Sequence, residues 1–282
     1  MAVRLITDSS ADISAQEAKQ MGITMIPMAI TFGDEEYYDG VTLLPKEFYE
    51  KLTTEKMLPK TAQITPFRFE EAFAEGTENG DEVVAIVLSS KLSGTYEAAR
   101  SAAEKFNGKV FVVDSLSAAL GERLLCQHAL AWIRQGKTAK EIFDELERVK
   151  KKLCVMAVLE TLEYLKKGGR ISGAVAFVGG MLNLKPVVKV IDGEVKMIGK
   201  ARGQKKGCEL MNQIIKNGDG IDFSMPHGVL WTGLDESIAD KYVRESADVF
   251  CGHEDIPAYI VGSTIGTHVG PGVFGLAYFE QK

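Results

Sequence analysis

In the first half of the chain, short apolar runs alternate with segments whose apolar positions recur at helical spacing. Runs rich in valine and isoleucine are typical of buried strands. The predicted strands are Val3–Thr7, Ile23–Thr31, Val83–Leu88 and Lys109–Asp114. The predicted helices begin after Ser14, at Pro45, after Thr65, near Tyr96, at Ala118 and at Thr138. Because strands and helices alternate, with one hairpin near Gly33, the pattern predicts a parallel α/β sheet.

The pattern changes after Cys154. An Asp192-Gly193 turn between two apolar segments is typical of a tight hairpin. The other strands predicted here are Val155–Leu159, Gly228–Trp231, Ala258–Gly262 and Val273–Phe279, with a helix over Asp235–Ala247. We therefore predict an N-terminal parallel-sheet α/β domain over residues 1–153 and a C-terminal α/β domain with a mixed sheet over residues 154–282. A ligand cleft is expected between them.

Composition narrows the class of protein. The chain has 282 residues, of which 45% are apolar and 26% charged, and its formal net charge is −6. These values fit a globular protein and argue against a general nucleic-acid binder. The four cysteines lie far apart, which predicts reduced thiols in the core rather than zinc ligands or disulfides. We see no signal peptide and no apolar run that could span a membrane, so we expect a cytoplasmic protein.

Basic residues are concentrated in one stretch of this acidic chain. Between Tyr164 and Lys206 the acids are Asp192 and Glu194. The basic residues there are Lys166, Lys167, Arg170, Lys185, Lys189, Lys196, Lys200, Arg202, Lys205 and Lys206. Such a field suits an acidic partner or an anionic ligand, although the same residues also fit an ordinary solvated surface.

Four loops are rich in hydroxyl groups, at residues 7–10, 61–66, 89–95 and 114–115. The loop over 89–95 joins a predicted buried strand to a helix, where open α/β sheets bind ligands. Backbone N–H groups and neutral hydroxyls there suit an anion. We interpret Ser10 and Thr65 as helix caps, and Thr61 and Ser93 as ligand contacts. The loop has no obvious catalytic base, which favours binding over catalysis.

The segment Gly262–Gly272 contains four glycines and His268. We interpret it as a loop after a strand, in which glycines let the backbone approach a bound molecule. His268 would donate a hydrogen bond to an anion there.

Patterns of several common chemistries are absent from the sequence. It has no P-loop, no dinucleotide fingerprint after the first strand and no nucleophile elbow around Ser93. The other histidines lack metal-ligand spacing, and we interpret Asp8 and Asp114 as residues that tie loops together. We therefore expect neither a metal nor a cofactor.

Taken in order, several motifs resemble the DegV family, the fatty-acid-binding proteins that serve as binding subunits of bacterial fatty acid kinase. The matching motifs are Thr7–Asp12, Tyr38–Gly40, Thr61–Pro66, Leu88–Tyr96, Val113–Ser115, Leu159–Ser172, Leu184–Pro186 and Ile265–Gly272. Each is weak alone, whereas the ordered set is specific and spans nearly the whole chain. The chain departs from the family at Ala62, where serine is usual, and at Ile64, where proline is common.

The resemblance implies a fatty acid such as palmitate, stearate or oleate buried between the two domains. The residues it assigns to the carboxylate are Thr61, Ser93, Gly94, Thr267 and His268. It also implies that a basic surface with Arg170 and Arg202 docks the kinase subunit that supplies ATP and metal. That subunit would phosphorylate the carboxylate to acyl phosphate for phospholipid synthesis, and the binding subunit would not be an enzyme.

Two other functions stay open at this point. An acyl hydrolase or transferase would use Ser93 as nucleophile and His268 as base, with Asp8 as the orienting acid. A sugar- or phosphate-binding sensor would need a cleft lined by polar side chains.

Overall fold

The structure is a computed structural model that describes residues 2–55, 57–171, 183–253 and 255–282. Its strands are β1 Val3–Asp8, β2 Ile23–Ile26, β3 Ala29–Phe32, β4 Glu35–Tyr38, β5 Lys60–Ala62, β6 Glu82–Val87, β7 Val110–Asp114, β8 Leu153–Val158, β9 Leu184–Ile191, β10 Glu194–Arg202, β11 Gly228–Trp231, β12 Ala258–Ile260 and β13 Phe274–Phe279. Its helices are α1 Ala15–Met21, α2 Pro45–Thr54, α3 Pro66–Gly76, α4 Thr95–Ala103, α5 Leu120–Arg134, α6 Ala139–Val149, α7 Glu163–Lys167, α8 Gly203–Asn217, α9 Ser237–Glu245 and α10 Ser263–Val269. Ser172, the last residue of one family-like motif, lies outside the described residues.

The N-terminal part contains the predicted parallel sheet, with strand order β2-β1-β6-β7. The prediction of a single strand over Ile23–Thr31 is wrong, because the strand is interrupted at Pro27 and the segment forms two strands, β2 and β3. Proline has no N–H to donate to a sheet, which favours a break at this point. After the break, β3 pairs antiparallel with β4 and β5 in a separate three-stranded sheet.

The C-terminal part contains the predicted mixed sheet, with strand order β10-β9-β8-β13-β11-β12. Strands β11 and β12 are parallel, and the other neighbours are antiparallel. The predicted hairpin joins β9 to β10, with Asp192 and Gly193 both at positive φ as a tight two-residue turn requires. The domain boundary near residue 153 stays a prediction.

The mixed sheet buries both of its faces. Cys154, Met156 and Val158 alternate along β8 and pack with apolar residues of α8 and α9. Val155 and Leu159 point the other way, into a cluster with residues of α5 and of the parallel sheet. Because side chains alternate along a strand, this one sequence supplies both layers of the core. Helix α5 lies between the two sheets and contacts β1 and β6 on one side and β8, β11 and β13 on the other.

A buried polar cluster joins α5 to the end of β1. The Ser10 Oγ lies 2.6 Å from Asp8 Oδ1 and 2.8 Å from Glu122 Oε2, and Thr7 Oγ1 donates to Glu122 Oε1 at 3.1 Å. A hydroxyl has one hydrogen, so it donates to only one of the two carboxyls. If Ser10 donates to Asp8, its contact with Glu122 is a hydrogen bond only when Glu122 is protonated and donates to the Ser10 oxygen. Burial, followed by the repulsion from Asp8, raises the pKa of Glu122 well above its ordinary value.

Asp8 holds the loop after β1 against the loop after β6. Its carboxylate accepts the N–H groups of Ser10 and of Leu88, each at 2.8 Å. This is the loop-tying position that the sequence predicts for Asp8. Ser10 is not the helix cap that we predict, because its hydroxyl is bonded within the buried cluster.

Three of the four cysteines are buried, namely Cys126, Cys154 and Cys208. Cys251 is exposed, so the prediction that every thiol fills the core is wrong at this position. Within the described ranges, none of the helices combines the length and the apolar character needed to cross a bilayer.

We predict that Glu122→Gln makes the chain more stable at pH 8 and leaves its stability near pH 5 almost unchanged. The unfolded carboxyl loses its proton near its ordinary pKa, whereas the folded one keeps it to higher pH. The free energy of unfolding therefore falls as pH rises from the ordinary pKa through the raised one. Glutamine keeps an acceptor for Thr7 and a donor for Ser10 without this proton requirement.

Urea unfolding of both proteins from pH 5 to pH 8 measures the effect, with the exposed Glu236→Gln as the matched control. A loss of stability at pH 8 in Glu122→Gln would contradict a protonated Glu122.

Candidate functional site

Thr61 and His268, which are 207 positions apart in the sequence, meet in the structure. Thr61 Oγ1 lies 3.0 Å from His268 Nε2. Thr61 comes from β5, at the edge of the three-stranded sheet, and His268 comes from α10. The contact therefore joins the N-terminal part of the chain to its last helix, and it brings together two residues that the sequence predicts for one site.

The segment that carries His268 is a helix rather than the predicted glycine-rich loop. Two acids hold its first turn. Buried Asp39 accepts the N–H groups of Ser263 and Thr264 at 2.9 and 3.1 Å, and half-buried Asp12 accepts that of Gly262 at 2.8 Å. These donors have no partner within the helix, and carboxylates are favourable at a helix N-terminus. The prediction of a loop, which rested on the glycines, is therefore wrong, because the contacts with Asp39 and Asp12 stabilise a helix here.

Close packing also fixes α10 against its neighbours. A Cβ on Gly266 would lie 2.6 Å from Phe48 Cε1 and 2.8 Å from the Tyr49 hydroxyl. A Cβ on Gly168, just after α7, would lie 2.2 Å from His268 Nδ1. The glycines therefore allow close approach to protein side chains, which sets the position of the imidazole.

Ser93 and Gly94 lie in the loop before α4. The Ser93 hydroxyl is 2.9 Å from Thr95 Oγ1 and accepts the Thr95 N–H at 3.3 Å. A Cβ on Gly94 would lie only 2.1 Å from Gln63 Oε1, so the glycine allows this side chain to pack over the loop. Sequence reasoning missed Gln63; its place in the Thr61–Pro66 motif was the available signal.

The two loops and α10 enclose an inner cavity of about 290 Å³. Its polar lining consists of Thr61, Gln63, Ser93, Arg170, Thr264 and His268, and Gly94 also borders it. Among the described residues that line this inner cavity, Arg170 is the one charged side chain at neutral pH. Apart from Arg170, these polar groups are uncharged hydroxyl, amide and imidazole groups, as expected of a site that hydrogen-bonds a carboxylate, and the rest of the lining is apolar.

An apolar cavity of about 70 Å³ adjoins the inner one, between the mixed sheet, the residues just before α5, and α10. The two share the lining residues Ala118, Val195, Ile265 and Val269. The rest of the apolar cavity is bordered by Ala119, Val155, Met156, Ala157, Leu159, Val188, Val190, Leu230, Val261 and Val273. Every described lining residue is apolar and none is aromatic, so this part of the cleft suits a hydrocarbon and not a sugar.

An outer cavity of about 650 Å³ lies on the other side of the site. Thr61, Arg170 and His268 line both it and the inner cavity. Thr267 borders the outer cavity, and its hydroxyl donates to the Ser263 carbonyl at 2.8 Å. The predicted ligand contacts are therefore divided between the two cavities: Ser93 and Gly94 inside, Thr267 outside, and Thr61 with His268 at the junction.

His268 is uncharged at neutral pH. Burial, and then the nearby positive charge of Arg170, lower the pKa of His268 to about 4. Its Nδ1 is buried and has no hydrogen-bond partner among the described residues. A neutral imidazole holds one ring hydrogen, so the Thr61 hydroxyl either donates to Nε2 or accepts from it. In the second case, the Thr61 hydrogen is available to a ligand.

Arg170 is part of the site as well as of the basic stretch. Its Nε donates to the Leu92 carbonyl at 3.2 Å and its Nη1 donates to the Gly168 carbonyl at 2.6 Å. Arg202 is different, because it is exposed at the end of β10. The structure therefore separates the two arginines that the sequence groups together.

The positive field of the basic stretch is weaker than the sequence indicates. Five of its lysines pair with carboxylates: Lys167 with Glu163, Lys185 with Glu160, Lys189 with Glu280, Lys196 with Glu194 and Lys206 with Glu209. Four of these acids lie outside the stretch in sequence. A count along the chain could not reveal them.

The geometry gives little support to a serine-nucleophile mechanism. His268 bonds with Thr61 and Ser93 bonds with Thr95, so the described contacts do not join the proposed nucleophile to the proposed base. Asp8 accepts the N–H groups of Ser10 and Leu88 in the buried cluster at the end of β1.

Among the described residues, no three His, Cys, Asp or Glu side chains are grouped so as to hold a metal ion. Thr65 stands at the N-terminus of α3 as predicted, but its side chain makes no capping bond.

Comparison with known proteins gives one consistent family. Residues 2–281 match the family described as "Uncharacterised protein, DegV family". A DegV domain-containing protein of Deinococcus radiodurans is 32% identical over 280 residues, which cover 98% of each chain.

Solved structures of this family are similar over their whole length. One, described as fatty acid binding of a DegV family protein from Thermus thermophilus, is 32% identical, with a TM-score of 0.88, and the match covers 99% of this chain and 100% of that one. Another is DegV from Bacillus subtilis, described as a fatty acid binding protein, at 28% identity and a TM-score of 0.83 over 100% of both chains.

We predict that the imidazole of His268 titrates near pH 4 and that Arg170→Met raises its pKa. The substitution removes a positive charge that disfavours the imidazolium, but burial, the larger cause, is expected to hold the pKa below its ordinary value. Proton NMR of the histidine rings measures both values, and Arg202→Met is the control. Titration of His268 near 6.5 in the unsubstituted chain would contradict a desolvated site.

Proposed function

Because this chain belongs to the DegV family, we propose that it binds a long-chain fatty acid and presents the carboxylate to the ATP-binding subunit of a fatty acid kinase. The observation that carries the proposal is that the inner cavity and the apolar cavity lie side by side and share part of their lining. The apolar cavity adjoins one whose polar lining groups are uncharged apart from Arg170, and the two share the lining residues Ala118, Val195, Ile265 and Val269. Fatty-acid-binding relatives with the same fold support it.

The acyl chain supplies most of the binding free energy in this proposal. Burial of about 14 methylene groups contributes roughly 11 kcal/mol before the costs of association are subtracted. The apolar cavity is small, about 70 Å³, so the acyl chain enters by displacing the longer side chains of its lining into other rotamers.

The carboxylate is held by Thr61 and Ser93, with His268 orienting the Thr61 hydroxyl. A buried carboxylate needs hydrogen bonds, and neutral donors provide them without forming a close ion pair. Its oxygen therefore keeps the electron density that attack on phosphorus requires. Arg170 lines the inner cavity, but two of its N–H groups are already bonded to carbonyls.

The reaction itself belongs to the kinase subunit. A carboxylate oxygen forms a bond to the γ-phosphorus of ATP, the bond from that phosphorus to the bridging oxygen breaks, and ADP leaves with the electron pair. The products are acyl phosphate, still held by this chain, and ADP. This chain's part is to bind, orient and desolvate the fatty acid, so it is not an enzyme by itself, and acyl phosphate for phospholipid synthesis is the expected output.

We predict that Thr61→Val combined with Ser93→Ala abolishes most acyl phosphate formation and leaves the fatty acid bound. Each hydrogen bond to the carboxylate is worth roughly 10-fold to 100-fold in rate if it is needed for correct placement. The measurement is hydroxylamine trapping of acyl phosphate with ATP and a fatty acid kinase subunit.

Ser90→Ala, in the same loop but outside the inner cavity, is the matched control. Unchanged acyl phosphate formation in the double variant would show that the carboxylate is held elsewhere.

Arg202 carries the docking part of the proposal. Arg202→Glu is expected to reduce phosphorylation roughly tenfold at limiting kinase, with fatty acid binding unchanged, because reversal of an exposed charge weakens a complementary interface. Arg170 is unsuited to this test because it also borders the inner cavity. The exposed Lys241→Glu on α9 serves as control, and equal activity of Arg202→Glu and the unsubstituted chain at physiological salt would exclude a docking role for Arg202.

A further inference from the structure

The outer cavity is a second polar compartment beside the proposed carboxylate site. It is larger than the inner one, about 650 Å³ against about 290 Å³, and Thr61, Arg170 and His268 border both. The side of the inner cavity that adjoins the apolar cavity is bordered by Ala118, Val195, Ile265 and Val269. A polar group attached to the carboxylate therefore extends toward the outer cavity.

The charge of the outer cavity is entirely positive among its described lining residues. Lys60, Lys167 and Arg170 border it, and no carboxylate of the described chain does. Lys60 is exposed and directly precedes Thr61 on β5. Lys167 pairs with Glu163, four positions before it, but both side chains are 58% exposed. Such pairs are weak, so the Lys167 ammonium is available to a more highly charged anion.

We propose that the outer cavity is a phosphoryl subsite, in which Lys60 and Lys167 pair with the phosphate of the acyl phosphate product. The inference rests on the proposed function and deepens it, because it names the ligand chemistry of a compartment that the fatty acid does not fill. A carboxylate held at Thr61 and Ser93 leaves the lysines outside its first contacts. Phosphorylation adds a dianionic group at the junction of the two cavities, where ammonium groups bind phosphate as point charges.

The subsite gives the protein a means to distinguish its product from its substrate. Both ligands share the acyl chain, and therefore the larger part of the binding free energy. Only the phosphorylated one gains contacts with Lys60 and Lys167. The expected consequence is that the acyl phosphate is retained against hydrolysis while the fatty acid exchanges.

The test compares palmitate with the hydrolysis-resistant β-ketophosphonate isostere of palmitoyl phosphate, titrated calorimetrically into the delipidated full chain. Lys60→Met combined with Lys167→Met is expected to weaken phosphonate binding roughly tenfold and to change palmitate binding by less than about twofold. The charge-matched control is Lys137→Met combined with Lys140→Met, on the surface around α6. The arginine variant Lys60→Arg with Lys167→Arg should restore phosphonate binding if the lost charge, and not a structural change, is responsible.

Three other results would each overturn a specific statement. If the methionine variant binds both ligands as the unsubstituted chain does, or loses both equally, the outer cavity is not a phosphoryl subsite. If the unsubstituted chain binds palmitate but binds the phosphonate much more weakly, the subsite is likewise wrong, while the proposed function stands. If it binds neither ligand, the proposed function itself fails.

Discussion

The contact between Thr61 Oγ1 and His268 Nε2 is the interaction on which the site depends. It joins an edge strand of the N-terminal part to the last helix, and it lies where the inner and outer cavities meet. Burial keeps the imidazole neutral, so the pair can orient a hydroxyl without adding a charge. Asp39 and Asp12 hold the first turn of α10, and Gly168 admits the imidazole at its other end. The position of one ring is thus set from several directions, as a preorganised binding site requires.

The same fold separates two kinds of surface. Alternation along β8 gives one apolar face to α8 and α9 and another to the cleft, so the mixed sheet supplies an aliphatic wall without any loss of its own core. The polar groups that line the inner cavity lie on the loops after β6 and around β5, on α10 and, for Arg170, just after α7. Within the proposed function, the hydrocarbon wall supplies affinity and the loops supply orientation. The outer lysines add a distinction between carboxylate and phosphate.

The sequence predicted the elements whose signals are local. Valine-rich runs predicted the strands of the parallel sheet, and Asp192-Gly193 predicted the hairpin, because each depends on neighbours in the chain. The prediction from sequence failed at Pro27, where one apolar run contributes strands to two sheets. It also failed at β5, because Lys60, Thr61 and Ala62 do not alternate between apolar and polar residues. It also failed at α10, whose glycine-rich first turn is held by distant carboxylates. Thr61, Ser93 and His268, which line the inner cavity, were predicted from their motifs. Gln63, the second position of Arg170 in the cavity lining and the paired lysines became evident only from spatial contacts.

Native mass spectrometry of the purified full chain, with release and identification of the bound molecule, tests the central claim most directly. The account predicts one long-chain fatty acid per chain, and uptake of one equivalent of palmitate after delipidation. A chain that stays unliganded in the presence of excess fatty acid, or that releases a sugar or a nucleotide instead, would contradict it.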